Sequence, residues 1–156
     1  MVETRFRRNM RRVMKLANPV LRVVLRTPVH WPVSRRLVLL RVTGRRTGTP
    51  YTFPVAYHRD GDTLKIVSAR TWWRNLRDGP APVTVWLRGR RRSATAVAHY
   101  GDETAAAELP AFLRRNPSLG RMYGIPRRPD GGYDDETVRA AAATVAVVYV
   151  RLEDPT

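Results

Sequence analysis

The sequence has no cysteine, few acidic residues and no long apolar run. The absence of cysteine excludes disulfides and thiolate chemistry and, because no signal-peptide core is visible among the early arginines, favours a cytoplasmic protein. No segment approaches the about 20 apolar residues that a membrane-spanning helix needs. The histidines are His30, His58 and His99. No two of them have the spacing of metal ligands, so we expect no metal site.

Acidic residues are especially rare at the start of the chain. The net charge is +16, from 29 Lys and Arg against 13 Asp and Glu. Thirteen of these basic residues lie within residues 1–46, where Glu3 is the single acid. Such a field attracts nucleic acid, anionic lipid or a multiply charged coenzyme. Because no nucleic-acid motif and no row of stacking aromatics accompanies the charge, we expect no specific nucleic-acid partner.

The first basic segment has helical periodicity. Between residues 3 and 17 the apolar positions recur every three or four residues, which predicts an amphipathic helix. These positions are Phe6, Met10, Val13, Met14 and Ala17. We favour packing of this stripe on the body of the protein, with peripheral membrane contact through residues 3–17 as the second interpretation. The predicted organisation is a basic helical segment, 1–30, followed by one domain, 31–156.

Two apolar runs that flank a short turn form the central feature of the sequence. Leu37 to Thr43 and Thr49 to His58 are rich in β-branched and aromatic residues, which predicts a hairpin. The turn, residues 44–48, reads Gly-Arg-Arg-Thr-Gly. Glycines allow close backbone approach, and free amides with guanidinium groups bind phosphate or carboxylate. The alternative is a solvated basic turn.

Further short strands alternate with short helices along the rest of the chain. Four more strands are predicted, at Thr63 to Ala69, Pro82 to Leu87, Arg91 to His99 and Ala146 to Leu152. Helices are predicted over residues 70–79, 102–116 and 133–143, with a long loop over 117–132. The fold class is therefore α+β, mainly β: about six antiparallel strands in a small barrel with short peripheral helices.

Two segments resemble a known family. The hairpin TGRRTGTPYTFPVAYHRDGD and the segment SARTWWRNL are similar to those of the deazaflavin-dependent nitroreductases, which are actinobacterial flavin or deazaflavin oxidoreductases. The similarity extends from about Leu37 to Leu87. It implies a split β-barrel of the FMN-binding-protein type. It also implies a cofactor, the deazaflavin coenzyme factor 420 (F420), which carries a phosphodiester and an oligoglutamate tail.

The resemblance assigns cofactor-binding roles position by position. The phosphate-binding turn corresponds to Arg45, Arg46, Thr47 and Gly48. The strand beneath the deazaflavin ring corresponds to Pro54, Val55 and Ala56. The end of the third strand and the following helix correspond to Ser68, Ala69, Arg70, Trp73 and Asn75. In one departure from the family pattern, Tyr51 stands where many members carry a second basic residue.

The activity implied by the resemblance is hydride transfer from reduced deazaflavin to a small electrophilic acceptor such as a quinone, nitroaromatic or enone. A tyrosine can donate a proton or hydrogen bond to the acceptor, and the candidates are Tyr57, Tyr123 and Tyr133. One alternative is an FMN-binding split-barrel oxidoreductase. Another is a non-catalytic protein that binds a cofactor, a polyanion or a membrane surface. The sequence is compatible with a monomer or a homodimer.

Overall fold

A computed structural model describes residues 36–101 and 103–154. The predicted N-terminal segment, 1–30, lies outside the described residues. The described strands are β1 (Leu37–Thr43), β2 (Pro50–Ala56), β3 (His58–Asp60), β4 (Thr63–Ser68), β5 (Ala81–Leu87), β6 (Arg90–Tyr100) and β7 (Ala146–Leu152). A 3₁₀ helix spans Thr71–Leu76, and the α-helices are α1 (Glu103–Arg115), α2 (Pro117–Met122) and α3 (Asp135–Ala142).

The seven strands form one sheet in the order β2-β1-β5-β6-β7-β4-β3. Every pair is antiparallel. Strands β1 and β2 pair along their whole length, from Leu37 opposite Ala56 to Thr43 opposite Pro50. The turn 44–48 therefore projects from one end of the sheet.

A sharp bend at Tyr57 curls this sheet into a barrel. Strands β2 and β3 lie at opposite ends of the strand order, yet Tyr57 is the single residue between them. Its backbone N–H donates to the carbonyl of Arg36 at 3.2 Å, and its side chain is buried in the core. Because adjacent residues cannot lie far apart, the two ends of the sheet must come together. Strand β2 contacts β4 without a hydrogen-bonded ladder between them, which leaves the barrel split.

Alternation along the strands produces two apolar cores. The barrel interior is filled by side chains that include Val38, Leu40, Leu64, Ile66 and Val85, each essentially without exposed surface. A second core lies outside the barrel, where α1 and α3 cover the outer face of β4 and β7. Fully burying one such aliphatic side chain contributes about 1.5–3 kcal/mol, so the two cores position the strand ends firmly.

The expected fold class is confirmed: a mainly β split barrel with short helices. The seventh strand arises because the predicted Thr49 to His58 run divides at Tyr57. The expected loop over 117–132 contains α2, which begins with Pro117 in its first turn, a favourable position for proline. Within the described ranges, no helix is long and apolar enough to cross a bilayer.

Candidate functional site

A cleft of about 420 Å³ lies between the turn 44–48 and the 3₁₀ helix. Its volume is within the range of small-molecule sites. The lining residues are Gly44, Arg46, Thr47, Tyr51, Phe53, Arg70, Thr71, Trp72 and Asn75. Three of them are aromatic, two are cationic and none is acidic. The cleft thus combines apolar walls with an uncompensated positive charge.

The turn at one wall of the cleft holds its shape through its own backbone. The Gly44 N–H donates to the Thr49 carbonyl at 2.8 Å, and the Gly48 N–H donates to the Gly44 carbonyl at 2.8 Å. Gly48 has a φ of 69°, a conformation that favours glycine. The backbone N–H groups of Arg46 and Thr47 donate to nothing among the described residues. Two free amides beside a cationic side chain can bind an anion.

The two arginines of the turn have different surroundings. Arg45 forms an ion pair with Asp78, beyond the end of the 3₁₀ helix, and does not line the cleft. Arg46 lines the cleft and has no acidic partner among residues 36–101 and 103–154. Arg70 is also exposed on the cleft, and no ion pair of its guanidinium is found in the same ranges. The charge available to a ligand therefore comes from Arg46 and Arg70.

Asn75 connects the two walls of the cleft. Its side-chain oxygen accepts a hydrogen bond from the backbone N–H of Arg45 at 3.0 Å. Its side-chain nitrogen donates to the Trp72 carbonyl at 3.0 Å. One oxygen and one N–H of the amide are thus committed to protein groups, so Asn75 chiefly fixes the turn against the 3₁₀ helix.

Ser68, at the end of β4, orients the other side of the cleft. Its buried hydroxyl oxygen accepts hydrogen bonds from Trp72 Nε1 at 3.0 Å and from the Arg70 backbone N–H at 3.2 Å. The Trp72 ring meets Phe53 with centroids 5.1 Å apart and an interplanar angle of 51°. Because its indole N–H already has a partner, Trp72 presents an apolar surface to the cleft.

Trp73 occupies a different environment from Trp72. Its ring stacks on Tyr100, with centroids 4.3 Å apart and planes 12° apart. It is absent from the lining of the cleft. Ala69 is exposed at the end of β4, and its backbone N–H interacts with the hydroxyl of Tyr123.

Strand alternation separates the three predicted positions of β2. Pro54 pairs with Leu39, and Ala56 pairs with Leu37, so both lie on the outer face of the sheet. Val55 lies on the inner face and packs against the barrel core. Tyr51 and Phe53 share that inner face and line the cleft.

The three tyrosines predicted as proton donors lie away from the lining of the cleft. Tyr57 is buried in the barrel. The Tyr133 hydroxyl donates to the Leu113 carbonyl at 3.1 Å. Burial raises the pKa of the Tyr123 hydroxyl, although its interaction with the Ala69 backbone N–H opposes this. The tyrosine that does line the cleft is Tyr51, whose surface is 48% exposed.

The structure thus brings together Arg46, Thr47, Arg70 and Asn75 from the predicted set and adds residues that were not predicted. The additions are Gly44, Tyr51, Phe53, Thr71 and Trp72. Alternation along β2 was a sequence signal for Tyr51 and Phe53, because it assigns both to the same face as the core residue Val55.

The deazaflavin coenzyme expected from the sequence fits this cleft. Its phosphodiester and carboxylates require cationic side chains and free amides, which Arg46, Arg70 and the backbone of Thr47 supply. Its planar ring requires an apolar slot, which Tyr51, Phe53 and Trp72 supply. The absence of an acidic side chain from the lining removes an obvious source of repulsion.

Solved structures are similar to this chain at low sequence identity. A protein of unknown function from Agrobacterium tumefaciens is 20% identical with a TM-score of 0.50, and the match covers 86% of this chain and 54% of that one. A domain-swapped dimer is 15% identical with a TM-score of 0.50, covering 76% and 81%. An F420 reductase is 20% identical with a TM-score of 0.41, covering 84% and 91%. No curated protein matches the sequence.

The family comparison is more specific. Residues 22–124 match the F420H(2)-dependent quinone reductase family, and this range includes the turn 44–48, both walls of the cleft and the first six strands. The match confirms an oxidoreductase of deazaflavin type and agrees with the coenzyme expected from the sequence. The chain belongs to the F420H(2)-dependent quinone reductase family.

Proposed function

We propose that this protein reduces a quinone to the hydroquinone at the cleft between the turn 44–48 and the 3₁₀ helix. The proposal is carried by two guanidinium groups, those of Arg46 and Arg70, which have no acidic partner among the described residues and lie beside an aromatic slot in a member of this family. Nitroaromatics and activated enones are alternative acceptors with the same requirement, because each takes up a hydride and a proton.

The turn binds the phosphodiester in this proposal. The Arg46 guanidinium and the backbone N–H groups of Arg46 and Thr47 donate charge-assisted hydrogen bonds, which are about twice as strong as neutral ones. Gly48 allows the backbone conformation of the turn. Arg45 stabilises the turn through the ion pair of its guanidinium with Asp78 and the hydrogen bond from its backbone N–H to Asn75. Arg70 and the basic N-terminal region attract the carboxylates of the tail.

The aromatic residues position the ring and the acceptor. Phe53 and Trp72 provide an apolar wall, and Ser68 holds Trp72 in place. When bound, the reduced coenzyme supplies the hydride, that is, two electrons and one hydrogen nucleus. The Tyr51 hydroxyl donates a hydrogen bond to a quinone oxygen, and a second proton, taken from solvent, completes the hydroquinone. Tyr51 is suited to this role because its side chain lines the cleft and is exposed.

The test is a pair of fluorescence titrations, with F420 and with FMN, each at low and moderate salt. We expect micromolar or tighter binding of F420 that survives moderate salt, and weaker binding of FMN, because FMN lacks the polyanionic tail. Reduced F420 with a soluble benzoquinone should then give one hydroquinone per coenzyme oxidised. Preferential FMN binding, or binding that moderate salt abolishes, would exclude the proposal.

A further inference from the structure

The outer face of β1, β2 and β5 carries apolar side chains that belong to neither core. Leu39 has no exposed surface, although it is absent from both the barrel core and the outer core. Its paired neighbour Pro54 is also buried, and its neighbour on β5, Trp86, is half-buried. These three side chains form one patch across three strands, which we call the outer patch.

A polar atom beside the outer patch is buried as well. Arg41, two residues after Leu39 on the same face, has its guanidinium 6.0 Å from the Trp86 ring centroid. Its Nε is buried, and no hydrogen-bond partner for it occurs in the described ranges. Arginine on an outer strand face is normally solvated. Burial of both an aliphatic side chain and a guanidinium nitrogen indicates that something covers this face.

None of the described helices covers the outer patch. Helix α1 packs on β7 and β6, and α2 and α3 pack on α1, all on the other side of the barrel. The 3₁₀ helix contacts β1 near the turn, at the cleft. The remaining candidate for the cover is the N-terminal region, which precedes β1 and leads directly into Arg36 and Leu37.

We propose that residues 3–17 dock on the outer patch through their apolar stripe, Phe6, Met10, Val13 and Met14. The lengths agree: fifteen helical residues span about 22 Å, and the seven residues of β1 span about 23 Å. The intervening residues, 18–35, can reach about 59–65 Å when extended, which is enough to return the helix onto the sheet. Leu39, Pro54 and Trp86 offer the apolar counterpart of the stripe.

Docking in this position has a consequence for the charge of the molecule. It brings the basic residues of the segment, such as Arg8, Arg12 and Lys15, onto the β1–β2 side of the barrel. The cleft with Arg46 lies at the end of the same hairpin. The segment then adds to the positive field at the cleft instead of extending away from it.

A cross-linking experiment tests the docking, and the natural absence of cysteine makes introduced thiols unique. In the full chain, Val13→Cys with Thr84→Cys places one thiol on the stripe and one on the outer face, where Thr84 pairs with Arg41. A short bis-maleimide should link the two within one chain. The matched control is Arg12→Cys with Thr84→Cys, which should link much less.

Protection of the sheet provides an independent readout. Thr84→Cys alone should react slowly with a maleimide, and adding Met10→Asp should accelerate the reaction by about tenfold or more as the cover opens. Arg11→Asp, on the polar side, should not. If Thr84→Cys does not fold, Thr52→Cys on β2 replaces it, because Thr52 also pairs with Arg41. Three results would each overturn the proposal. They are cross-links that form only between two chains, protection of Thr84→Cys that appears only when anionic vesicles are added, and a maleimide reaction rate that Met10→Asp does not change.

Discussion

The side-chain oxygen of Asn75 accepts a hydrogen bond from the backbone N–H of Arg45, 30 positions earlier in the chain, at 3.0 Å. This contact fixes the turn against the 3₁₀ helix, so it determines the width of the cleft. We expect Asn75→Ala to weaken F420 binding by about 1 kcal/mol, the typical net value of one neutral hydrogen bond. Fluorescence titration measures the change.

Asn116 provides a matched control for Asn75. Its side-chain nitrogen donates to the Phe112 carbonyl at 3.2 Å, within the region of α1 and away from the cleft. Asn116→Ala removes a hydrogen bond of the same kind and should leave F420 affinity unchanged. Equal losses of affinity in the two variants would contradict a specific role of Asn75.

The adjacent arginines of the turn allow a sharp test of anion binding. Arg46→Ala should weaken F420 binding by about 1.5–3 kcal/mol, because a charge-assisted contact is lost. Arg45→Ala removes the same charge from the neighbouring position, but its guanidinium pairs with Asp78, so we expect a smaller loss. Titrations at two salt concentrations should also show a weaker salt dependence for Arg46→Ala. Identical behaviour of both variants would mean that only the overall charge matters.

Local signals in the sequence were sufficient for the strands. β1 and β7 have the predicted bounds, because alternation and the flanking turns define them within a few residues. The division of the second strand at Tyr57 was not predictable in the same way. It depends on barrel closure, a long-range property that brings β3 beside β4.

The cleft was only partly predictable from the sequence for a similar reason. The turn residue Arg46, which lines the cleft, was predicted because a short turn of glycine, arginine and threonine supplies free amides and a guanidinium group for an anion. The choice between Trp72 and Trp73 depends on Ser68 and Tyr100, which lie on different strands. Such contacts follow from strand order, which the sequence pattern does not specify.

Gly44 leaves room for the ring of Tyr51. A Cβ at this position would lie 2.8 Å from Tyr51 Cε2 and 3.1 Å from the Thr49 carbonyl oxygen. Gly44→Ala should therefore displace the Tyr51 ring, lower F420 affinity and destabilise the fold by about 1–3 kcal/mol, the usual effect of overpacking. Thermal unfolding and titration measure both effects. In Gly44→Ala/Tyr51→Ala the stability loss should be less than additive, and full additivity would exclude this clash as the cause.

Tyr51 should affect the reaction more than coenzyme binding. Tyr51→Phe keeps the ring that lines the cleft but removes the hydroxyl, so kcat for quinone reduction should fall by about 10²-fold while F420 affinity stays the same. Tyr133→Phe is the control, because its hydroxyl donates to the Leu113 carbonyl. That variant should lose stability and retain kcat. Full activity of Tyr51→Phe would assign the hydrogen bond to another group.

His58 makes the stability of the fold depend on pH. The His58 ring lies against the Arg115 guanidinium, where β3 meets the end of α1. Partial burial, followed by the nearby charges of Arg115 and Lys65, lowers its pKa from 6.5, although Asp60 and Glu108 act in the opposite direction. The unfolded chain consequently binds a proton more readily than the folded one. Stability is complete above the unfolded pKa of about 6.5 and decreases as the pH falls through the lower, folded value.

The measurement for His58 is the free energy of unfolding in urea between pH 7.5 and 5.5. This range separates the histidine from the carboxylates, because carboxylates titrate mainly at lower pH, about 4. We expect the wild-type chain to lose stability across this range more steeply than His58→Gln, which retains a polar side chain but cannot be protonated. The matched control is His99→Gln, which removes an imidazole that packs edge-on against Tyr149. A slope for His58→Gln as steep as the wild-type slope would place the pH dependence elsewhere. If the wild-type chain became more stable toward pH 5.5 and His58→Gln did not, the pKa of His58 would be raised by folding and not lowered. That result would exclude contact of the neutral ring with Arg115.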